Sequence, residues 1–312
     1  IFSLIFGGCC SNVFVLEKFI KQSTSPNKSF VLTFFQFLFV AANGYVRNID
    51  MNKNSIKRLY LPQLKIPLRR HWINVLLSFI SSTLNNIAFS FDISVPIHII
   101  IRSLGTATTM IIGYLFFNKR YSLNQIMSAI ILTIGVMVAT LNNKRNSSSI
   151  TSNFIDNNNN NNNTNQDGIG AMILLIATIA GTLAGLYTEI TFFKYGRHWE
   201  ENLFFMHLLS LPLFMIISPS KLWKELQNLF YGGNTQLQMT LLLNCFTQVI
   251  CVNGVNRLAG NSTSLTVNIV LLVRKFVSLI ISVIAFGYPI SAAEVTGALL
   301  VFSGALLYSY SS

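Results

Sequence analysis

Apolar runs long enough to cross a lipid bilayer fill most of this chain. Ten such runs can be drawn, at about 1–17, 30–46, 72–91, 95–117, 123–141, 169–192, 202–217, 237–256, 263–286 and 291–310. A helix that crosses ~30 Å of hydrocarbon needs roughly 20 mainly apolar residues. Because lipid leaves no backbone group without a partner, runs of this length predict helices rather than open strands. We therefore predict an all-α, polytopic membrane protein with ten transmembrane helices.

The composition fits a membrane protein. Hydrophobic residues make up 52% of the 312 residues and charged residues 10%, with a mean hydropathy of +0.53, whereas soluble domains are about a quarter charged. A formal charge of +12 could indicate a nucleic-acid partner, but the orientation of membrane helices explains it better, and no nucleic acid is expected. The chain begins at Ile1 rather than Met, so we expect a few residues to precede it. Its start has no features of a cleavable signal peptide.

Lysine and arginine are distributed unevenly between the two sets of predicted loops. Twelve lie on the side of the N-terminus and seven on the opposite side. The positive-inside rule therefore places both termini in the cytosol. Three of the four Asn-x-Ser/Thr sequons, at Asn27, Asn146 and Asn162, fall on the opposite side, in agreement with this orientation.

An Asn-rich segment divides the ten predicted spans into two sets of five. Residues 142–168 have the composition of a disordered loop, and the charge count places this loop in a lumen. An odd number of spans in each half puts the halves in opposite orientations, the plan of inverted-repeat transporters. We predict a first five-helix repeat at 1–141 and a second at 169–312.

The two halves share a limited internal similarity. Arg102 corresponds to Arg274 at an offset of 172 residues. A second offset, of 169, relates Ser122, Gln125 and Gly135 to Ser291, Glu294 and Gly304. A loop that is three residues longer after the fourth span would explain the change of offset.

Small residues and cysteines inside the spans predict close helix packing. Gly181 and Gly185 form a GxxxG pattern, which could serve a homodimer or packing within the bundle, and packing is the favoured interpretation. The same packing role is assigned in the first span to Gly7, Gly8 and Ser11. The four cysteines all fall inside predicted spans, at Cys9, Cys10, Cys245 and Cys251. We expect them to pack as apolar residues rather than form a disulfide framework or a metal site.

Positive charges inside the spans are the strongest functional signal. Arg274 and Lys275 are adjacent near the middle of span nine, where each charge costs roughly 2.5–3.5 kcal/mol. An anionic ligand would offset this cost. Adjacent residues of a helix point ~100° apart, and Lys275 shares its face with Asn268 and Ser278. Lys275 is therefore predicted to contact a phosphate directly, with Arg274 as a second contact or as the partner of a carboxylate.

A polar helix face marks span four. His98, Arg102, Thr106, Thr109 and Gly113 recur at helical spacing in an otherwise apolar run. We expect this face to line a cavity, although Arg102 could instead extend its charge to the membrane surface. His98 could contact the ligand or make a structural hydrogen bond. The acids near span ends are level with none of the central cations: Glu17, Asp92, Glu189 and Glu294. Such a cavity would be positive and would favour a dianion.

Amide side chains form the second group of candidate residues. They are Gln36, Asn43, Asn85, Asn86, Asn244 and Gln248. Amides can bind sugar hydroxyls or the edge of uracil, or they can hydrogen-bond between helices, and both interpretations stay open. The predicted substrate-binding residues are Lys275, Arg274, Arg102, His98, Asn244, Gln248, Asn85 and Gln36. Four phenylalanines favour packing or lipid contact over base stacking: Phe34, Phe35, Phe37 and Phe39. Catalytic motifs are absent from the sequence, and no cofactor is expected.

Short segments in nearly every part of the chain resemble a known family. They are Gly8–Val13, Thr33–Phe39, Pro96–His98 with Arg102–Ser103, Lys119–Ser122, Tyr195–His198, Ser264–Thr266 and Arg274–Leu279. In this order they resemble the nucleotide-sugar transporters of the drug/metabolite transporter superfamily, in particular the group that carries UDP-xylose and UDP-N-acetylglucosamine. The Asn-rich insertion departs from the family pattern and is not expected to reach the site.

The resemblance implies a mechanism. It implies two inverted five-helix repeats, with a site near the fourth and ninth helices. It also implies exchange of a cytosolic nucleotide sugar for a lumenal nucleoside monophosphate. We therefore expect a multi-pass antiporter of the Golgi or endoplasmic reticulum membrane, not an enzyme, that imports UDP-N-acetylglucosamine, UDP-xylose or both in exchange for UMP. The alternatives are another organic-phosphate or drug exporter of this superfamily, or, in a different class, a membrane scaffold or membrane-embedded enzyme.

Overall fold

Helices are the only regular secondary structure in the part of the chain that the computed structural model describes. That part comprises residues 1–22, 28–48, 64–88, 101–141, 163–217, 219–231, 235–286 and 292–311. A π-helical turn at Leu4–Cys9 leads into the first α-helix. The α-helices are α1 (Cys10–Gln22), α2 (Lys28–Asn48), α3 (Leu68–Ala88), α4 (Gly105–Phe117), α5 (Leu123–Leu141), α6 (Asn163–Tyr195), α7 (Trp199–Ile217), α8 (Pro219–Tyr231), α9 (Thr235–Asn261), α10 (Ser264–Phe286) and α11 (Ala292–Ser311).

Each predicted span coincides with a helix wherever the structure describes it. Among the described residues, 5 helices are long and apolar enough to cross a membrane, namely α2, α6, α7, α9 and α11. Shorter apolar helices cover the spans near the N-terminus and around α4 and α5. The all-α class is therefore confirmed, whereas the count of ten spans and the internal repeat stay predictions.

Helix α8 was not predicted. Its 13 residues are amphipathic, with Leu222, Glu225 and Leu229 buried and Trp223 and Lys224 exposed. A search for long apolar runs does not detect a helix whose apolar residues occupy one face only.

The Asn-rich segment ends earlier than its composition predicts. Helix α6 begins at Asn163, inside the predicted 142–168 loop, so the last turn of that segment is helical. Residues 142–162 lie outside the described part of the chain.

The helices form two compact units, each built from segments of both sequence halves. Unit 1 comprises Ile1–Val75 and Glu189–Ser262, and unit 2 comprises Leu76–Thr188 and Thr263–Ser312. The packing units therefore cut across the two predicted repeats.

An aromatic and aliphatic core holds unit 1 together. Its buried members come from α1, α2, α8 and α9 and are Phe19, Val31, Leu32, Leu222, Leu229, Leu241 and Cys245. The ring of Phe37 packs edge-on against Phe214, with centroids 5.3 Å apart, and Phe34 contacts the same ring at 6.4 Å. The prediction that the α2 phenylalanines serve packing or lipid contact is thus confirmed.

Glycines let α5 and α11 approach each other closely in unit 2. A Cβ atom added at Gly297 would lie 2.6 Å from the carbonyl oxygen of Gly135, and one added at Gly135 would lie 2.9 Å from the carbonyl oxygen of Gly297. Gly304 packs in the same way on Leu132. Residue numbers rise along one helix as they fall along the other, so the pair is antiparallel. Buried Leu132, Val136 and Val301 complete this contact.

The favoured interpretation of the GxxxG pattern is confirmed. A Cβ atom at Gly181 would lie 2.8 Å from Ser81 Oγ, and one at Gly185 would lie 2.7 Å from Ser264 Oγ. Both glycines therefore pack against helices of the same unit. In the first span, Gly8 lies against Ile250, but the space beside Gly7 is open. The packing role predicted for Gly7 is wrong.

The expectation that the cysteines do not pair is also wrong for two of them. Cys9 and Cys251 form a disulfide across unit 1, with their Cα atoms 4.5 Å apart. Gly8 allows this approach, because a Cβ atom there would lie 2.6 Å from the side chain of Ile250 and 3.1 Å from the backbone nitrogen of Cys251. Cys10 and Cys245 are free and buried, as expected.

Candidate functional site

Three of the predicted cations gather in unit 2. Arg274 and Lys275 lie side by side in the middle of α10, and Arg102 lies in the helical residues 101–103 that precede α4. The positive charges of Arg102 and Arg274 both act on Lys275, and that of Arg274 acts on Arg102. The internal correspondence between Arg102 and Arg274 thus relates two residues that are close in space.

Asn85 of α3 joins this cluster. Its Oδ1 accepts a hydrogen bond of 3.1 Å from Arg102 Nη1. A neutral amide fixes the direction of the guanidinium and leaves its charge in place. We call Arg102, Arg274, Lys275 and Asn85 the cation cluster.

Carboxylates do not neutralise the exposed members of the cation cluster within the described residues. Lys275 makes no hydrogen bond or ion pair with any residue in that part of the chain, and Arg102 bonds there only to Asn85. Positive charges that no carboxylate balances can attract anionic groups.

The polar face of α4 behaves differently from its prediction. Thr106 and Thr109 are buried, and Thr109 Oγ1 accepts a 2.7 Å hydrogen bond from Asn268 Nδ2 of α10. Gly113 packs against the hydroxyl of Tyr121. These residues pack helices together instead of lining an open cavity, so only Arg102 of the described part of this face remains exposed. His98, predicted for the same face, lies outside the described residues.

Three of the other predicted amides, Gln36, Asn244 and Gln248, meet in unit 1. Gln36 Nε2 donates to Asn244 Oδ1 at 2.6 Å, and Asn244 Nδ2 donates to the carbonyl oxygen of Asn12 at 3.3 Å. Asn12 Nδ2 in turn donates to Gln248 Oε1 at 2.6 Å, and Thr247 Oγ1 donates to Asn12 Oδ1 at 3.0 Å. The amides therefore bond between helices, which was one of the two interpretations left open.

The two amides of α9 differ in whether any of their donor or acceptor groups is available for a ligand. Asn244 is 0% exposed, and both ends of its amide are engaged. Gln248 is half-buried, and within the described residues only its oxygen is bonded. A substrate contact from this network, which stays a prediction, is therefore more available to Gln248.

A buried carboxylate anchors the segment before α3. Glu201 accepts hydrogen bonds from the backbone N–H groups of Lys65 at 3.1 Å and Ile66 at 3.0 Å. His71 Nε2 lies 3.2 Å from the same carboxylate, and both side chains are buried. Two acidic residues in the first turn of α7, Glu200 and Glu201, also suit the positive end of that helix.

Comparison with known proteins decides the family. The model of the UAA transporter family matches residues 1–312. The chain belongs to the UAA transporter family. Within this family, a UDP-N-acetylglucosamine transporter of Kluyveromyces lactis is 42% identical over 324 residues, which cover 100% of this chain and 96% of the relative.

Two further relatives differ in the substrates they are named for. A UDP-xylose and UDP-N-acetylglucosamine transporter of Danio rerio is 31% identical and covers 98% of this chain and 92% of its own. An endoplasmic reticulum GDP-fucose transporter of Drosophila melanogaster is 33% identical, with coverage of 98% and 88%. A solved crystal structure superposes with a TM-score of 0.63 at 11% identity, over 99% of this chain and 96% of that one. At this identity the likeness shows the fold alone.

Sequence reasoning on this UAA transporter missed three buried polar residues. Asn12 occurs in a segment quoted for the resemblance but was not considered as a network member. Glu201 and His71 lie at the ends of spans, where charged residues are common and carry little signal. The sequence signal for this pair was a glutamate just before the seventh predicted span and a histidine just before the third.

Proposed function

We propose that this protein is a nucleotide-sugar antiporter. It carries UDP-N-acetylglucosamine, UDP-xylose or both from the cytosol into the lumen of the Golgi apparatus or endoplasmic reticulum, in exchange for UMP. The family supports transport rather than catalysis, and the names of the yeast and zebrafish relatives support the two UDP-sugars. The observation in this chain that carries the proposal is the cation cluster.

The diphosphate of the substrate is the group that the cation cluster would bind. Lys275 is exposed and offers three N–H donors to a phosphate oxygen. Arg102 donates one hydrogen bond to Asn85. The other N–H groups of its planar guanidinium are available for a bidentate contact with a phosphate. Arg274, half-buried beside them, adds charge to the same place.

Exchange follows from the energetics of the empty site. Lys275 and Arg102 have no carboxylate partner among the described residues, and such charges at membrane depth cost roughly 2.5–3.5 kcal/mol each on insertion scales. A bound anion offsets this cost, so switching between inward and outward states is easier with ligand bound. UMP keeps a phosphate for the return step, and it therefore satisfies the same cations.

The contact between α5 and α11 supports two inverted repeats. An offset of 169 carries Gly135 onto Gly304 and Ser128 onto Gly297. Gly135 packs against Gly297, and Gly304 packs against the backbone of Ser128, so the offset converts one contact into the other. Reciprocal contacts of this kind are expected when a two-fold axis relates two segments, and an axis in the membrane plane would make the helices antiparallel.

Counterflow in proteoliposomes tests the function. Vesicles preloaded with UMP should accumulate labelled UDP-N-acetylglucosamine or UDP-xylose, and vesicles without internal nucleotide should accumulate little. A membrane-embedded enzyme would instead convert substrate in detergent solution, and another exporter of the superfamily would accumulate organic phosphates other than nucleotide sugars.

GDP-fucose transport is the second candidate, because one relative of similar identity carries that name. Vesicles preloaded with GMP and supplied with GDP-fucose separate the two. If GMP drives GDP-fucose uptake better than UMP drives UDP-sugar uptake, the uridine assignment fails, and the antiport mechanism can still hold.

A further inference from the structure

Unit 1 carries a group of positive charges that the proposed transport site does not use. They come from the segment that enters α3 and from the junction between α6 and α7, and they are Lys65, Arg69, Arg70, Lys194 and Arg197. Together with Tyr195, which lies among them, we call them the Tyr195 cluster. The Tyr195–His198 segment is also one of the segments that resemble the family, yet the proposed transport mechanism does not use it.

Two of these cations converge on one aromatic ring. Arg70 Cζ and Lys194 Nζ each lie 5.6 Å from the centroid of Tyr195. Arg70 Nη1 also donates a 3.4 Å hydrogen bond to Thr191 Oγ1, one turn earlier on α6. Cation–π contacts favour this geometry, so two charges from different helices are concentrated in one place.

A tight turn fixes the ring at the end of α6. Gly196 has φ +97°, a left-handed conformation that strains any residue with a Cβ atom. The N–H of Gly196 donates to the carbonyl oxygen of Phe192 at 3.0 Å, and that of His198 donates to the carbonyl oxygen of Gly196 at 2.8 Å. This capped helix end fixes the backbone between Tyr195 and Arg197, the two neighbours of the glycine.

The buried carboxylate at this junction forms no ion pair with the side chains of the Tyr195 cluster in the described part of the chain. Glu201 is engaged by the backbone N–H groups of Lys65 and Ile66 and by His71. Glu200 is the other carboxylate at this junction, and it is exposed. Within the described residues, no hydrogen bond or ion pair is made by the side chains of Lys65, Arg69, Lys194 and Arg197. Two cations thus lie against the Tyr195 ring, and three more basic residues occur in the same two segments.

The position of the Tyr195 cluster favours lipid over a soluble ligand. Phe193 is 94% exposed, and an apolar ring this exposed near the end of a membrane helix suits contact with lipid chains. Tyr195 follows two residues later, at the depth where aromatic and basic residues meet headgroups. The two loops involved also fall on the side that the charge count assigns to the cytosol.

We propose that the Tyr195 cluster binds the headgroup of an anionic phospholipid in the cytosolic leaflet. Arg70, Lys194 and Arg197 would contact phosphate oxygens around the Tyr195 ring. The positive-inside rule explains why cations lie on this side, but it does not explain why two of them share one ring. Several basic residues in these two segments suit a headgroup with more than one negative charge.

Native mass spectrometry of the full chain in detergent tests this site. The probe is dioctanoyl phosphatidylinositol 4-phosphate, with dioctanoyl phosphatidylcholine as the uncharged comparison. Each basic residue near a membrane surface contributes about fivefold to anionic-lipid binding, so the double variant Arg70→Gln/Lys194→Gln should bind the probe roughly thirtyfold more weakly. Arg120→Gln is the matched control, because Arg120 is an exposed cation of another loop on the same predicted side. It should bind like wild type.

Three results would overturn the proposal. Equal loss in Arg120→Gln would mean that lipid senses total charge rather than a site. Displacement of the lipid by inorganic pyrophosphate at equal concentration would identify a soluble phosphate as the ligand. If the double variant does not fold, the single variant Lys194→Gln, at an exposed residue, is measured instead. Unchanged lipid binding by this variant would refute the site.

Discussion

Arg102 and Asn85 show how a neutral partner can hold a charge in position without cancelling it. The amide oxygen accepts from Nη1 at 3.1 Å, so the guanidinium is aimed but remains fully positive. A carboxylate in the same place would also orient the guanidinium, but it would neutralise the positive charge that attracts a phosphate. The choice of Asn at position 85 is therefore consistent with an anion site.

Substitution of Asn85 separates positioning from charge. Asn85→Asp should pair with Arg102, compete with the substrate phosphate and raise the KM for the nucleotide sugar about tenfold or more, since hydrogen bonds to charged groups contribute ~1.5–3 kcal/mol. Asn85→Ala should weaken binding less. Counterflow kinetics measure both, and Arg102→Ala supplies the control background, in which Asn85→Asp should add little. Full additivity of the two changes would contradict the pairing.

Lys275 is expected to be the direct phosphate contact. Lys275→Ala should abolish exchange while the protein remains folded, and Arg102→Ala should weaken substrate affinity by a factor between ~10 and more than 100, from the ~1.5–3 kcal/mol of a charge-assisted bond. Arg120→Ala is the matched control for loss of one exposed cation and should transport normally. Normal exchange by both Lys275→Ala and Arg274→Ala would show that the phosphate site lies elsewhere.

The sequence predicted the cation cluster because charges in an apolar run are rare and costly. It could not assign the amides, since the same side chain serves a ligand or a neighbouring helix equally well at the level of composition. Asn244 proved to be bonded at both ends, which only the three-dimensional arrangement of α2, α9 and Asn12 could reveal.

At the scale of elements, the glycines of α5 and α11 define a contact that leaves no room for side chains. Gly297→Ala should destabilise the protein by about 1–3 kcal/mol, the usual effect of overpacking, because its Cβ atom would meet the Gly135 oxygen at 2.6 Å and the Ala139 nitrogen at 2.7 Å. Gly7→Ala is the matched control, since nothing lies within 4 Å of its Cβ position. Thermal unfolding in detergent compares the two, and equal stability would refute the close contact.

The disulfide between α9 and the turn before α1 makes a second element-scale prediction. Alkylation of the denatured protein should label two cysteines before reduction, Cys10 and Cys245, and all four afterwards. Peptide mass spectrometry identifies them. Cys245→Ser, at a buried free cysteine, is the control that should leave the Cys9–Cys251 peptide pair intact. Labelling of Cys9 without reductant would contradict the pairing.

Elements were predicted unevenly, for physical reasons. Long apolar helices such as α6 and α11 are visible in composition alone, whereas α8 buries only one face and is not. The Cys9–Cys251 pair joins residues 242 positions apart, and a lone cysteine in an apolar run carries no information about such a distant partner.

At the scale of the whole molecule, the charge count and the packing of unit 1 agree. The segment before α3 and the α6–α7 junction were both assigned to the cytosolic side, and the structure brings them together through Glu201 and the Tyr195 ring. Loops on opposite faces of a membrane could not meet in this way. The contact therefore supports the prediction that both segments lie on the same side of the membrane.

The absolute orientation can be tested with tags. Twelve lysines and arginines on the N-terminal side against seven on the other predict that both termini face the cytosol and that the 142–168 loop faces the lumen. A protease added to intact microsomes should remove a C-terminal tag and spare a tag in that loop. Detergent should expose both, which controls for resistance of the loop itself. Cleavage of the loop tag alone in sealed microsomes would reverse the orientation, and with it the side from which the nucleotide sugar enters.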